Sequence, residues 1–364
     1  MIEPRSLSEF VLADRWRFIA VIGAGSDGTV YLAADERSGE AVAIKVYDSL
    51  AGRDAASIAE GMANETSLRA RFDSPYLVRN IHYGVARGQG GLDAGFVVME
   101  HLDGYTLRSH LEGRGGTLPL DEALALMLEL AIAIGSLHDH RVVHLDLKPE
   151  NVFVLSSAAS RRGGVPIKVL DLGAARHLDQ PLAPVQGRGT PTYVAPEVCE
   201  RLPSVDTQAD VYSLGILLYE LLVGTPPLQP GTPAQLVAQH VYARLAPLPP
   251  SMNWGELATI YETATARDPE RRYRGARELA SAIDLFRNRR LREASRPAAL
   301  TPGGIEPGQP SLLDTLLART PRTDERSQPR LRLPSGGYGA PSRPSDPPPP
   351  APTWPRPGEG SESE

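Results

Sequence analysis

At 364 residues the chain is long enough for one large domain or two ordinary ones, and a hydrophobic content of 41% allows a substantial buried core. The net charge is only -6 and no block of like charges stands out, so we expect neither a nucleic-acid partner nor an anionic membrane surface. Because Cys199 is the single cysteine, and because the sequence contains neither an export signal nor a run of roughly 20 apolar residues, we expect a cytoplasmic protein without a membrane anchor.

The beginning of the chain predicts a small lobe rich in strands at 16–99, preceded by a short extension at 1–15. Short runs rich in Val, Ile and Tyr alternate with turn signals, which is typical of antiparallel strands. They are RFIAVIG, TVYLAAD, AVAIKVY and FVVME. One helical pattern interrupts these strands, at 54–72.

A glycine-rich loop, GAGSDG, lies at 23–28 and satisfies the spacing G-x-G-x-x-G. In a dinucleotide-binding fold a helix begins at this loop, but here the strand TVYLA follows. An arrangement of strand, loop and strand suits a flap whose backbone amides close over phosphates. Taken alone, the motif is equally compatible with an ordinary glycine-rich hairpin.

The strand AVAIKVY carries Lys45 among apolar neighbours, 17 residues after Gly28. A buried ammonium group is costly unless a carboxylate or a phosphate lies nearby. The helical pattern at 54–72 offers two carboxylates, Glu60 and Glu65.

From residue 100 onward long helical patterns dominate and predict a larger helical lobe at 100–292. Within it, HLDLKPEN at 144–151 combines an acid, Asp146, with an ammonium, Lys148, and an amide, Asn151. Twenty residues after Asn151, the strand PIKVL ends in DLG, which begins with Asp171. Phosphoryl transfer to a hydroxyl needs such groups: a carboxylate near the attacking oxygen, cations for the phosphate charge, and oxygen ligands for magnesium.

The lysines are rare and their positions are informative. Of the 38 Lys and Arg residues only Lys45, Lys148 and Lys168 are lysine, which leaves 35 arginines. Two of these lysines stand in the motifs just described, where a compact ammonium is not replaced by a planar guanidinium. We take this as independent support for catalysis, and we expect Lys168 to be structural.

Three further motifs follow in order: GTPTYVAPE at 189–197, DVYSLG at 210–215 and RDPERRY at 267–273. Together with the glycine loop, AVAIK, HLDLKPEN and DLG, they resemble the motifs of Hanks-type serine/threonine protein kinases. VVMEHLDGYTL is most similar to the bacterial members. The resemblance covers residues 17 to about 290 and implies an α+β, bilobal protein kinase-like fold with a small β-rich N-lobe and a larger helical C-lobe.

The resemblance also implies roles for individual residues. Asp146 orients the substrate hydroxyl and accepts its proton, Lys148 neutralises the γ-phosphate, and Asn151 and Asp171 bind Mg²⁺, or Mn²⁺ in its place. Glu65 is preferred over Glu60 as the partner of Lys45, because its distance from SPYLV is usual in the family. The remaining expected ATP-binding residues are Ile22, Gly23, Gly25, Gly28, Val30, Ala43, Met99, Glu100 and Leu102.

Four residues are expected on the substrate side and in the scaffold. Thr190 lies beside Asp146 and Lys148, Glu197 forms an ion pair with Arg272, and Asp210 holds the backbone of the catalytic loop.

Two positions depart from the family pattern. Leu145 stands where an arginine usually precedes the catalytic Asp, and Leu172 replaces the usual phenylalanine. In kinases with that arginine, a phosphate on the activation loop pairs with it and orders the loop. The segment 171–189 contains no Ser, Thr or Tyr, and the first hydroxyls are Thr190 and Thr192. We therefore expect a kinase of the non-RD variant that does not need activation-loop phosphorylation.

The segment 293–364 is rich in Pro, Gly and Ser and predicts a disordered tail. Its proline run at 347–350 is a candidate docking motif for a protein partner, and a passive spacer is an equal alternative. We expect an ATP- and Mg²⁺-dependent kinase that acts on Ser and Thr of protein substrates, itself included. A pseudokinase scaffold, which Leu145 and Leu172 alone favour, and a small-molecule kinase of related fold are the alternatives.

Overall fold

The computed structural model describes residues 11–25, 28–47, 67–68, 74–87, 93–156, 166–179, 190–200, 202, 205–250 and 254–294. Ser67 and Leu68, both helical, are the described part of the helix predicted at 54–72. Outside these ranges lie Glu60 and Glu65, as well as residues 295–364 of the tail predicted at 293–364.

The N-terminal lobe contains a six-stranded antiparallel sheet. Its strands are β1 (Val11–Leu12), β2 (Trp16–Gly25), β3 (Gly28–Asp35), β4 (Ala41–Val46), β5 (Asn80–Arg87) and β6 (Asp93–Glu100). They lie in the order β1-β2-β3-β4-β6-β5. The sheet therefore begins upstream of residue 16, and it includes β5, which the sequence did not predict.

The two faces of this sheet have different surroundings, because side chains alternate between the faces along each strand. One face is buried in an apolar cluster made of Trp16, Ala33, Val42, Ile44, Phe96 and Val98. The opposite face carries Ala43, which is paired with Met99, and Lys45, which is paired with Val97. The second face is thus the one that carries residues expected to bind ATP.

The C-terminal lobe is helical. Its described helices are α1 (Leu107–Gly113), α2 (Leu120–Asp139), α3 (Pro196–Cys199), α4 (Gln208–Val223), α5 (Pro233–Tyr242), α6 (Glu256–Ala264) and α7 (Ala276–Ala294). Every residue of α4 from 209 to 222 is buried, as expected of a helix at the centre of a core. This helix ends at Gly224, whose φ of 92° suits the left-handed conformation of a helix C-terminus.

The described part of the C-terminal lobe also contains five short strands: β7 (Gly104–Thr106), β8 (Val142–Val143), β9 (Val152–Leu155), β10 (Ile167–Val169) and β11 (Arg176–His177). β9 pairs with β10, and β8 pairs with β11. The loop from β8 to β9 and the loop from β10 to β11 therefore have neighbouring ends and run side by side. The first carries Asp146, Lys148 and Asn151, and the second carries Asp171.

The predicted two-lobed α+β architecture is confirmed. The sheet-rich lobe precedes the helical lobe, and the long helical patterns of the sequence correspond to α2, α4, α5, α6 and α7. None of the helices in the described ranges is long and apolar enough to cross a membrane.

A buried ion pair joins α3, which contains Glu197, to the segment between α6 and α7, which contains Arg272. Arg272 donates to both carboxylate oxygens of Glu197, at 2.7 and 2.8 Å, and its side chain has no exposed surface. The guanidinium also donates three hydrogen bonds to backbone carbonyl oxygens, so all five of its N–H groups have acceptors. It lies 4.9 Å from the ring centroid of Tyr212.

We predict that Arg272→Ala lowers the free energy of unfolding by about 3–5 kcal/mol, because it leaves the Glu197 carboxylate buried without its partner. Arg289→Ala is the control, since Arg289 forms an exposed ion pair with Glu256 and its removal should cost less than about 1 kcal/mol. Urea denaturation followed by circular dichroism measures both values. Equal losses in the two variants would contradict the prediction.

Candidate active site

The carboxylate of Asp210, in the first turn of α4, holds the loop at 144–151 by its backbone. It has no exposed surface and accepts hydrogen bonds from the N–H groups of His144, at 2.8 Å, and Leu145, at 2.9 Å. Nε2 of His138 donates a third, at 2.9 Å, since Nδ1 of that ring accepts from the N–H of Ala276. Burial opposes ionisation, but these donors keep the pKa of Asp210 below its usual value, so the group is a carboxylate.

Leu145 is held in an unusual backbone conformation. Its φ is +64°, a region that residues with side chains rarely adopt. The hydrogen bond from its N–H to Asp210 and the burial of its side chain, which is 5% exposed within the main core, hold it there. Leu145 is therefore a core residue that presents no charge to the neighbouring loops.

Four donors converge on the carboxylate of Asp146. Oδ1 accepts from the N–H of Thr190 at 3.0 Å and from its hydroxyl at 3.3 Å. Oδ2 accepts from Nζ of Lys148 at 2.9 Å and from Nδ2 of Asn151 at 3.0 Å. The sequence predicted these three residues around Asp146, and the structure brings them together.

Lys45 and Asp171 connect the two lobes, although 126 residues separate them. Nζ of Lys45 lies 2.7 Å from Oδ2 of Asp171, and the N–H of Gly173 donates to Oδ1 at 2.7 Å. Burial raises the pKa of Asp171, but the ammonium of Lys45 and the Gly173 N–H outweigh it, so the pKa lies well below its usual range. The predicted partner Glu65 lies outside the described residues.

Asn151 and Asp171, the predicted metal ligands, lie on neighbouring segments, because the N–H of Leu170 donates to the carbonyl oxygen of Asn151 at 3.0 Å. The side-chain nitrogen Nδ2 of Asn151 donates to Asp146, which leaves the side-chain oxygen Oδ1 of Asn151 for a metal. Amide and carboxylate oxygens suit a hard cation such as Mg²⁺. In the described part of the chain no group of three or more His, Cys, Asp or Glu residues could hold a metal. Asn151 and Asp171 together therefore offer one amide oxygen and one carboxylate to a cation.

The glycine loop joins β2 to β3, which are antiparallel, so it does not precede a helix. Gly28 has a φ of +135°, and a Cβ atom there would lie 2.1 Å from the carbonyl oxygen of Val46. Both observations require glycine at this position. The arrangement of strand, loop and strand expected from the sequence is present at Gly23, Gly25 and Gly28.

The other residues expected to bind ATP follow the strand register. Val30 of β3 pairs with Gly23 on one side and with Lys45 on the other, so the three lie on the same face. Ala43 and Met99 lie on this face as well, on β4 and β6. Ile22 is half exposed, and Leu102 is partly buried just beyond β6.

Glu100 has a role that the sequence did not reveal. Its carboxylate accepts from Nζ of Lys168 and from the N–H of Arg79, both at 2.8 Å. Lys168 also donates to the carbonyl oxygen of Leu77 at 3.2 Å. The third lysine of the chain thus ties the end of β6 to β10, which agrees with its expected structural role.

His240 is another residue that sequence reasoning missed. Its buried ring accepts from the hydroxyl of Tyr212 at 2.7 Å and donates to the carbonyl oxygen of Pro191 at 2.8 Å. Pro191 follows Thr190, so α5 is linked to the residue that contacts Asp146. In the sequence, His240 follows Gln239 within a helical pattern, and no motif around it indicates this contact.

Comparison with known proteins shows the family of the chain. Residues 16–291 match the family model of the protein kinase domain. The chain belongs to the protein kinase family. It is similar to the serine/threonine-protein kinase PknB of Mycobacterium leprae, at 32% identity over 297 residues that make up 80% of this chain and 45% of that protein.

Two further relatives give the same result. The serine/threonine-protein kinase pkn2 of Myxococcus xanthus is 33% identical over 293 residues, which make up 78% of this chain and 33% of that protein. PknB of Mycobacterium tuberculosis strain H37Rv is 32% identical over 323 residues, or 86% of this chain and 49% of that protein. The chain spans less than half the length of these curated relatives.

We predict that part of the pH dependence of stability comes from His240, whose pKa is lowered by burial. The unfolded chain binds a proton on this ring below about pH 6.5 while the folded chain does not. The free energy of unfolding should therefore fall as the pH is lowered below 6.5, and it should fall less steeply in His240→Gln.

Urea denaturation at a series of pH values measures this dependence. His140→Gln serves as the control, because the ring of His140 is exposed, and it should keep the wild-type slope. The same slope in His240→Gln and wild type would contradict the prediction.

Proposed function

We propose that this chain transfers the γ-phosphate of ATP to serine and threonine hydroxyls of protein substrates, its own included. The observation that carries the proposal is the setting of Asp146, whose carboxylate contacts Lys148, Asn151 and Thr190. The names of the relatives, which are serine/threonine-protein kinases, support the same activity.

In the proposed reaction, Asp146 binds the substrate hydroxyl and accepts its proton as the oxygen attacks the γ-phosphorus. The bond from that phosphorus to the bridging oxygen breaks, and ADP leaves with the electron pair. Lys148 lies against Asp146 and neutralises charge on the transferred phosphoryl group. Lys45 contacts the remaining phosphates, and the face of β3, β4 and β6 described above binds the nucleotide.

Asn151 and Asp171 are the residues that hold Mg²⁺ in this proposal. A Mg²⁺ ion held by these two residues would supply positive charge to the phosphate oxygens of ATP. The lowered pKa of Asp171 supports this role, because the residue is ionised at neutral pH and offers a charged oxygen.

We also propose that the chain is a non-RD kinase that is active without a phosphate on its activation loop. The buried side chain of Leu145 supports this, because it offers no cation to a phosphate. The fixed loop backbone supports it too, since Asp210 holds His144 and Leu145 directly. Leu172 has no exposed surface and belongs to the main core, so its apolar packing role is retained. The proline run at 347–350 remains a predicted docking motif.

Asp146→Asn should reduce the rate of phosphate transfer by at least about a hundredfold, because it removes the proton acceptor. The measurement uses phosphatase-treated protein with labelled ATP and Mg²⁺, and mass spectrometry to locate the phosphates. Asp179→Asn is a matched control, since Asp179 is exposed and pairs with Arg141, and it should keep the wild-type rate.

Label on Ser and Thr in the wild type and the control, but not in Asp146→Asn, would support the proposal. Nucleotide binding without any transfer by the wild-type protein would instead favour a scaffold.

Phosphomimetic substitution should not activate the protein. Thr192→Glu is expected to leave the rate at or below that of wild type, and Thr190→Glu to lower it, because it brings a second carboxylate to Asp146. Initial rates with a generic Ser/Thr peptide measure both, with Thr192→Gln as the uncharged control. A rate above wild type in either Glu variant would contradict phosphate-independent activity.

A further inference from the structure

A polar cluster includes one residue of the catalytic loop, Glu150, and is not used by the proposed chemistry. We call it the Arg108 cluster; it consists of Arg108 of α1, Glu150, Tyr193 and Glu220 of α4. Arg108 donates from Nε to Glu150 at 2.8 Å, from Nη1 to Glu220 at 2.8 Å and from Nη2 to the hydroxyl of Tyr193 at 2.9 Å. The Tyr193 hydroxyl donates to the other oxygen of Glu220 at 2.7 Å.

The position of the cluster suggests contact with an acceptor peptide. Glu150 immediately precedes Asn151 and lies four residues after Asp146. Tyr193 lies three residues after Thr190, whose backbone and hydroxyl contact Asp146. Both segments of the cluster therefore flank Asp146, the residue proposed to bind the substrate hydroxyl.

The charges of the cluster explain why Arg108 matters there. Glu220 is buried, at 2% exposed, whereas the side chains of Glu150 and Arg108 are 47% and 31% exposed. Without Arg108, two carboxylates and the oxygen of Tyr193 would form an acidic pocket that opens to solvent at Glu150. Burial lowers the pKa of the Arg108 guanidinium, but its hydrogen bonds to Glu150 and Glu220 raise this pKa by a larger amount. The net shift is upward, so the guanidinium stays charged.

The pocket is better suited to a guanidinium than to an ammonium group. A planar fork of donors contacts oxygens of three different groups, which a single ammonium nitrogen cannot reach in the same way. The arginine of a substrate has the same donors, but it finds this pocket already filled by the chain's own residue.

We propose that Arg108 is a specificity-determining residue: it occupies an acidic subsite for arginine beside the phosphoacceptor and thereby removes a preference for basic substrates. The proposal rests on the proposed kinase activity. If Arg108 only braced α1 against α4, its removal would change stability and the rate on all peptides alike.

The test compares peptides with Arg or Ala at each position around one phosphorylatable Ser. In Arg108→Ala and Arg108→Gln, the ratio of kcat/KM for the Arg peptide to that for the Ala peptide should rise about tenfold at one position, the scale of a charge-assisted hydrogen bond. Arg108→Lys should show a smaller rise, because it keeps a cation there. Arg114→Ala, immediately after the same helix and paired with the partly buried Glu122, should show none.

Adding Glu150→Gln to Arg108→Ala should abolish most of the gain, because it removes the accessible carboxylate of the pocket. An unchanged ratio at every position in both Arg108 variants, with thermal denaturation showing that they are folded, would overturn the proposal.

A binding measurement separates this inference from the proposed activity. N-ethylguanidinium should raise the melting temperature of Arg108→Ala but not that of wild type or Arg114→Ala, because only the first has an empty pocket. If the wild-type protein transferred no phosphate, the proposed function would fail whatever this result. If transfer occurred but N-ethylguanidinium had no differential effect and the peptide ratios did not change, only the subsite would be refuted.

Discussion

The buried carboxylate of Asp210 is the constraint on which the site depends. A charge at the start of a helix that is buried in the core is costly unless donors satisfy it. Here the donors are two successive N–H groups of the catalytic loop and the ring of His138. The N–H groups of the loop therefore replace water as hydrogen-bond donors to the Asp210 carboxylate. Displacing the loop would leave this buried carboxylate without two of its donors.

Several features of the loop follow from this anchor. Leu145 adopts a positive φ, and the strain is balanced by its hydrogen bond to Asp210 and by its apolar packing. Asp146 then lies between Lys148, Asn151 and Thr190. In kinases with an arginine at the position of Leu145, a phosphate contributes to this order. The contacts of Leu145 with Asp210 and with the core are the reason why we propose activity without such a phosphate.

The sequence predicted the features that local motifs encode. Short motifs contain the residues Lys45, Asp146, Asn151 and Asp171, so the loops that carry them were predictable. The hydrophobic periodicity of α2 and α4 is strong, so the helical lobe was predictable as well. The pairing of Glu197 with Arg272 came from the family resemblance.

The Arg108 cluster, His240 and the bond from Lys168 to Glu100 were not predictable, because each joins residues from distant elements without a shared motif. The strand β5, NIHYGVAR, was missed because its polar and glycine residues weaken the alternating pattern.

The most direct test of phosphate-independent order is the progress curve of a chain whose intact mass shows no phosphate. After phosphatase treatment and removal of the phosphatase, the protein is mixed with ATP, Mg²⁺ and a Ser/Thr peptide, and product is followed from the first turnover. The account predicts a linear curve without a lag, and no phosphate at 171–200. A lag that shortens with protein concentration, together with phosphate on Thr190 or Thr192, would contradict it.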